Sequence, residues 1–251
     1  MSKIEPEGFM SIRKVFFVFA LMTVLAVPAC SSPTKDTPKG VYENYLNMSL
    51  KEAIESEPVY PPEPEGDVSE LSVCLAGPCT PDGDFEKVTA LAAVRIESWM
   101  GEYDNENGFG TFYAATVLKT YKGDLPEHII VKQAGTSQKR IKHQLRFMPG
   151  NEYLLFLNDG TFQMDDMYWI ESGYVSVIDL VRDGNGDIYY SPIFDNFALD
   201  FHIENRNGDA ELCSRLLADL VRKDLRREKR IFTYLFSEAD VVAWCKRMAG
   251  K

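Results

Sequence analysis

The chain has 251 residues, of which 45% are hydrophobic and 26% are charged, an ordinary composition for a protein that buries a core. Its formal net charge is -11, whereas nucleic acids and anionic membrane surfaces attract basic proteins. The composition therefore argues against nucleic acid as a partner, and the length allows one large or two small domains.

The amino terminus has the pattern of an export signal. A basic pair at residues 13–14 precedes an apolar run at residues 15–27. This run is shorter than a membrane-spanning helix and typical of a signal peptide. It ends in Val-Pro-Ala-Cys at residues 27–30, which resembles the lipobox of bacterial lipoproteins.

This resemblance implies that residues 1–29 are a cleaved signal peptide and that Cys30 is acylated. The chain would then be lipid-anchored at the bacterial cell envelope and bind the membrane through its lipid. Because Ser31 follows the cysteine, the resemblance implies the outer membrane if the envelope is Gram-negative. The alternatives are an uncleaved anchor helix and, because of Pro28, cleavage by a conventional signal peptidase. Met10 is an alternative start.

Residues 30–84 are predicted to be an approach to the main domain. A polar tether follows Cys30, and Ser49 with Glu52 has the spacing of a capping box, which predicts a short helix. Residues 57–70 are rich in proline and acidic residues, a composition that predicts an extended linker.

The cysteines predict disulfides. The chain has five cysteines, so acylation of Cys30 leaves an even number: Cys74, Cys79, Cys213 and Cys245. An even number in an exported chain predicts two disulfides. Cys74 with Cys79 can close a small loop and Cys213 with Cys245 can join two helices, while crossed pairings are the alternative. The histidines follow no ligand spacing, so we expect no metal or other cofactor.

Residues 85–205 have the pattern of a β domain. Residues 88–98 favour a strand over a helix, and residues 101–110 are rich in turn residues, which predicts a polar hairpin loop. The apolar run at residues 153–157 predicts a strand buried on both faces. Further strands are predicted at residues 111–121, 128–133, 168–170, 174–180 and 188–190. Short strands joined by Gly, Asn and Asp turns predict a small closed or partly open barrel.

This strand pattern resembles the netrin-like and TIMP-like OB-fold modules found in bacterial envelope lipoproteins. The segments that carry the resemblance are residues 94–96, 115–118 with 121–123, 129–131, and 147 and 150 with 153–157. The resemblance implies a small OB-like β-barrel. Eukaryotic TIMP inhibitors chelate the protease zinc with a free amino-terminal cysteine. We expect Cys30 to be acylated and separated by a tether, so that inhibitory mechanism does not carry over.

Residues 206–251 are predicted to form a C-terminal helical hairpin. Its first helix is predicted from Ala210 to about Asp224. Ser237 is predicted to cap the second helix, which turns one apolar face inward. That face holds Val241, Trp244, Cys245 and Met248.

The sequence contains no nucleophile elbow, zinc-binding helix, P-loop or dinucleotide fingerprint, so we predict no catalytic residue. Asp165 and Asp166 beside Tyr168 and Trp169 are the candidate binding residues, because an aromatic face next to a carboxylate can hold a carbohydrate. A loop with core aromatics is the alternative. Residues 183–187 open like a calcium loop but the later glutamate is missing, which favours a hairpin turn.

The sequence thus predicts an exported, lipid-anchored binding module whose partner is an envelope protein or a glycan. A protease-inhibitor-like module and an envelope enzyme of unrecognised type are the alternatives. We expect the binding surface on the loops at residues 101–110, 135–146 and 158–167.

Overall fold

The computed structural model describes residues 40–71, 81–106, 108–141, 144, 146–171, 177–183, 185–192 and 236–250, with only the backbone at 191 and 192. A 3-10 helix at Glu43–Tyr45 precedes the helices α1 Leu50–Glu55, α2 Pro81–Lys87 and α3 Glu238–Ala249. The strands are β1 Ser69–Leu71, β2 Ala90–Asn105, β3 Gly108–Lys122, β4 His128–Ala134, β5 Lys139–Ile141, β6 Glu152–Asp159, β7 Met167–Ile170, β8 Val177–Arg182, β9 Ile188–Pro192 and β10 Phe236–Ser237.

Most strands belong to one eight-stranded sheet, in the order β10, β9, β8, β6, β2, β3, β4, β7. Neighbours are antiparallel except β4 and β7, which run parallel, and β7 pairs a second time with β6. β1 and β5 form a separate parallel pair. The prediction of a mainly β chain that ends in a helix is confirmed.

β2 and β3 form a long bent hairpin. Register shifts interrupt their pairing at several points along β2, and such bulges bend a strand and increase its twist. The predicted strand at residues 88–98 is confirmed over the helix. The predicted hairpin loop at residues 101–110 was wrong, because β2 continues to Asn105 and β3 begins at Gly108. Pairing with β3 stabilises this polar segment as strand.

β6 separates two hydrophobic clusters. Tyr153, Leu155 and Leu157 pack into one cluster with alternate residues of β2, whereas Leu154 and Phe156 face a second cluster beneath α2 and α3. All five side chains have no exposed surface, which confirms a strand buried on both faces.

α3 covers the second cluster and is the described part of the predicted hairpin. Ser237 and Asp240 form a capping box at its start. Trp244 is fully buried, and its indole Nε1 donates to Asp82 Oδ1 of α2 over 2.8 Å. The inward face predicted for this helix is confirmed, since Val241, Trp244, Cys245 and Met248 are all buried. The other predicted helix lies outside the described residues.

The segment from Gly40 to α1 packs against the sheet and forms a third cluster with β2, β3 and β4. The predicted capping box of Ser49 and Glu52 is confirmed at the start of α1. The backbone of Tyr45 passes so close to Gly101 that a Cβ there would lie 2.0 Å from the Tyr45 carbonyl oxygen. Gly101 also has a φ of +150°, which L side chains rarely adopt. No helix in the described ranges is long and apolar enough to cross a bilayer.

The proline-rich acidic segment, residues 57–71, lies against the domain, and we call it the acidic strap. The Trp99 amide donates to the Val59 carbonyl over 2.8 Å, and the Ser69 amide donates to the Gln138 carbonyl over 2.9 Å. Its end forms β1, which pairs with β5. The sequence predicted an extended segment here but not these contacts.

Candidate functional site

A small recess with a volume of about 20 Å³, partly open to solvent, lies where the ends of β3 and β4 meet β5. It falls on the second of the three loops that the sequence nominated. Its described lining is mostly polar: Thr111, Tyr113, Gln133, Ala134, Gly135, Thr136, Arg140, Ile141, Gln144 and Arg146. We call these residues the recess. That volume holds little more than one water molecule, so the recess suits only a small chemical group.

The floor of the recess comes from the paired strands β3 and β4. Thr111 stands opposite Gln133 in their ladder, and its hydroxyl donates to the Gly135 carbonyl over 2.7 Å. Gly135 has a φ of +102°, which lets the chain leave β4 in a sharp turn. The Thr136 hydroxyl then accepts from the Lys139 amide over 3.0 Å and closes that turn.

Two acidic residues of β2 hold the turn in place. The Glu102 carboxylate accepts from the Ser137 amide over 2.9 Å and from the Ser137 hydroxyl over 2.5 Å. Asp104 pairs with Lys139 over 2.7 Å at the rim. Both acids lie in the segment that the sequence predicted to be a loop. The longer β2 therefore positions the recess.

Two arginines supply positive charge to the recess. Arg140 lies in β5 and Arg146 lies just before Phe147, and both are half-buried. Arg146 also donates to the Pro62 carbonyl and so ties the acidic strap to the rim. Burial raises the pKa of Tyr113, and the nearby Arg146 guanidinium partly offsets that effect. The Tyr113 hydroxyl is thus protonated at neutral pH.

Gln144 is the most unusual residue of the recess. Its side chain is only 6% exposed, and neither its amide nitrogen nor its amide oxygen has a hydrogen-bond partner. Buried polar side chains in folded proteins nearly always have partners, because leaving one unsatisfied costs about 1–3 kcal/mol. Because Gln144 also lines the recess, its unsatisfied amide is the candidate contact for a ligand.

The recess can bind a ligand through hydrogen bonds, but its described lining offers few groups for acid–base chemistry. The guanidinium groups and amide nitrogens donate hydrogen bonds, and no described lining residue is a histidine, cysteine, aspartate or glutamate. Throughout the described residues, no group of three or more potential metal ligands occurs. The recess suits a ligand rich in acceptor atoms.

The predicted carbohydrate edge lies elsewhere, around β7. Asp165 and Asp166 are exposed in the turn before it, and Asp166 has a φ of +57°. Tyr168 is buried in the first cluster, whereas Trp169 packs edge-on against Phe162 at 6.0 Å. Because neighbouring residues of a strand point to opposite faces, the two rings do not form one platform.

The calcium-like segment at residues 183–187 is a turn in its described part. The Asp183 carboxylate accepts from the amides of Asn185 and Asp187, each over 2.9 Å. Its oxygen is thus used within the turn, as the sequence favoured.

The cysteine predictions stay largely predictions. Cys30, Cys74, Cys79 and Cys213 lie outside the described residues. Cys245 is buried and unbridged on the inner face of α3, and burial raises the pKa of its thiol to about 12. Since its predicted partner is not described, the pairing is untested.

Comparison with known proteins does not assign this chain to a family, because no protein-family model and no curated protein matches it. The sequence nominated the loop at residues 135–146 but not the residues that line the recess. Arg140, Gln144 and Arg146 have the pattern of solvated loop residues, and Gln133 was predicted to end a strand.

Proposed function

We propose that this chain is a lipid-anchored binding protein of the bacterial cell envelope. In this proposal an OB-like barrel, closed by the second pairing of β7, presents the recess to a partner. The single observation that carries the binding role is Gln144, buried beside two arginines with both amide atoms unsatisfied.

The strand pairings support the barrel. They run from β6 to β2, β3, β4 and β7 and return from β7 to β6. An OB-fold is a five-stranded barrel of this size, and its loops bind ligands. The first hydrophobic cluster holds residues from each of these strands, as expected for a barrel interior.

The anchor is supported by the sequence alone. The basic pair, the short apolar run and the small residue before Cys30 form one continuous signal. Palmitate labelling should mark the wild-type protein and not Cys30→Ser, and the variant should leave the membrane fraction. Equal labelling of both would contradict lipidation.

Non-reducing peptide mapping tests the disulfides, and free thiols at Cys213 and Cys245 would refute their pairing.

The binding role is tested by capture from a detergent-solubilised envelope extract. Residues 31–251 are immobilised as wild type, Arg146→Gln and Arg182→Gln. Arg182 is a matched control, because it pairs with Glu152 over 2.9 Å and does not line the recess. We expect one component that wild type and the control retain and Arg146→Gln loses. The same components on all three columns would refute binding at the recess.

A further inference from the structure

We propose that the recess binds a carboxylate group whose ligand also carries an N–H or O–H donor beside it. This inference rests on the proposed binding role and names the chemistry of the ligand. It follows from the donors of the recess, from the charges around it, and from the two unsatisfied atoms of Gln144.

The donors match a carboxylate. A guanidinium is a planar fork that meets the two oxygens of a carboxylate in parallel hydrogen bonds. Arg140 and Arg146 both line the recess, so an acid that enters it meets positive charge from two elements. The Gln144 amide nitrogen adds a neutral donor.

The surroundings favour a single negative charge over a phosphate. Glu102 stands behind the turn that forms the rim, and the acidic strap, which Arg146 joins to the rim through the Pro62 carbonyl, carries the exposed Glu63 and Glu65. Each acid repels a second negative charge on the ligand.

The Gln144 amide oxygen explains why the ligand needs an N–H or O–H donor beside its carboxylate. It is a buried acceptor without a partner, and guanidinium-bound carboxylate oxygens cannot donate to it. A donor placed beside the carboxylate would satisfy this oxygen while the amide nitrogen donates to the acid. Two sources carry that pair of groups: the carboxyl end of a peptide, through its amide N–H, and a hydroxy acid, including acidic sugars, through its O–H.

Five small probes, one of them inorganic phosphate, separate these possibilities. N-acetylglycine has the acid and an N–H, glycolate has the acid and an O–H, propionate has the acid alone, and N-acetylglycinamide has no acid. Each is titrated into ¹⁵N-labelled residues 31–251, and the side-chain signals of glutamine and arginine are followed by NMR. We expect saturable binding of N-acetylglycine or glycolate, at least fivefold weaker binding of propionate and inorganic phosphate, and no binding of N-acetylglycinamide.

Amino-acid substitutions test whether the probes bind at the recess. Arg146→Gln and Arg140→Gln should each weaken the best acid at least tenfold, and Arg182→Gln should leave it unchanged. Gln144→Met should remove the preference for the best acid over propionate. Backbone signals of β2 and β6 report whether each variant keeps its fold.

The inference would be overturned by equal binding of all the anions, by phosphate as the strongest ligand, or by an unchanged preference in Gln144→Met. If no probe binds while capture from the envelope still depends on Arg146, the carboxylate inference fails and the binding role stands. If capture is also independent of Arg146, both fail.

Discussion

Replacing Gly101 by alanine should loosen the packing of the amino-terminal segment on the sheet. The new Cβ would lie 2.0 Å from the Tyr45 carbonyl oxygen, whereas an ordinary carbon–oxygen contact is about 3.3 Å. The two backbones must therefore move apart by more than about 1 Å. That movement breaks the bond from the Asn47 amide to the Met100 carbonyl, now 2.8 Å long.

The expected loss is about 2–4 kcal/mol of unfolding free energy. The positive φ of Gly101 contributes about 1–3 kcal/mol once a side chain is present. The lost backbone hydrogen bond adds about 1 kcal/mol. Some burial of Tyr42 and Ala53, both in the third cluster, is lost as well.

Urea unfolding of residues 31–251, followed by tryptophan fluorescence, measures this loss. Gly186→Ala is the matched control, since Gly186 has a φ of +88° but no atom lies within 4 Å of an added Cβ. The control should lose only the cost of its backbone conformation, about 1–3 kcal/mol. If the two variants differ by less than about 0.5 kcal/mol, the close approach of Tyr45 has no energetic role.

Three further predictions concern α3 and its contacts. Trp244→Phe keeps a ring in the core but removes the bond to Asp82, so urea unfolding should show a loss of about 1–2 kcal/mol; no loss would exclude a role for that bond. Burial raises the pKa of Tyr190 to about 12, so the folded state keeps a proton that unfolded tyrosine loses near pH 10. Stability should therefore fall as the pH rises from about 10 towards 12, and Tyr190→Phe should flatten that fall, whereas an identical slope would contradict it. A hydrogen bond from Lys119 lowers the pKa of Glu238, so the stability from this pair is complete above the ordinary value of 4.5 and is lost as the pH falls below it. Glu238→Gln should make the acid limb of the urea midpoint less steep, and an unchanged limb would refute that contribution.

Local signals were predicted well from the sequence. The capping boxes at Ser49 and Ser237 depend on residues three positions apart, so the sequence contains the whole interaction. The same holds for the apolar run at residues 153–157, because a strand with no polar face must be buried on both sides.

Long-range pairing explains the main error. Residues 101–105 are polar and contain a glycine, which locally favours a loop. In the structure Glu102 pairs with Thr111 and Asp104 with Phe109, so β3 supplies the hydrogen bonds that the local composition lacks. Strand formation depends on such partners more than on intrinsic preference.

The recess also depends on contacts between residues that are far apart in the sequence. Gln144 lines the recess together with residues of β3 and β4, which the chain brings to it from outside its own loop. The loop at residues 135–146 could be nominated as a binding loop from its position between strands. The burial of the Gln144 amide could not be predicted in this way.

The docking of Gly40 limits how far the domain can lie from an acyl group on Cys30. The Gly40 amide donates to the Gln163 carbonyl over 2.8 Å, so this residue is fixed to the domain. If Cys30 is the acylated residue, the connection to the bilayer consists of residues 31–39, which reach at most about 30 Å when fully extended. The domain would then stay within about that distance of the membrane surface, and a partner that binds the recess must come equally close to the membrane.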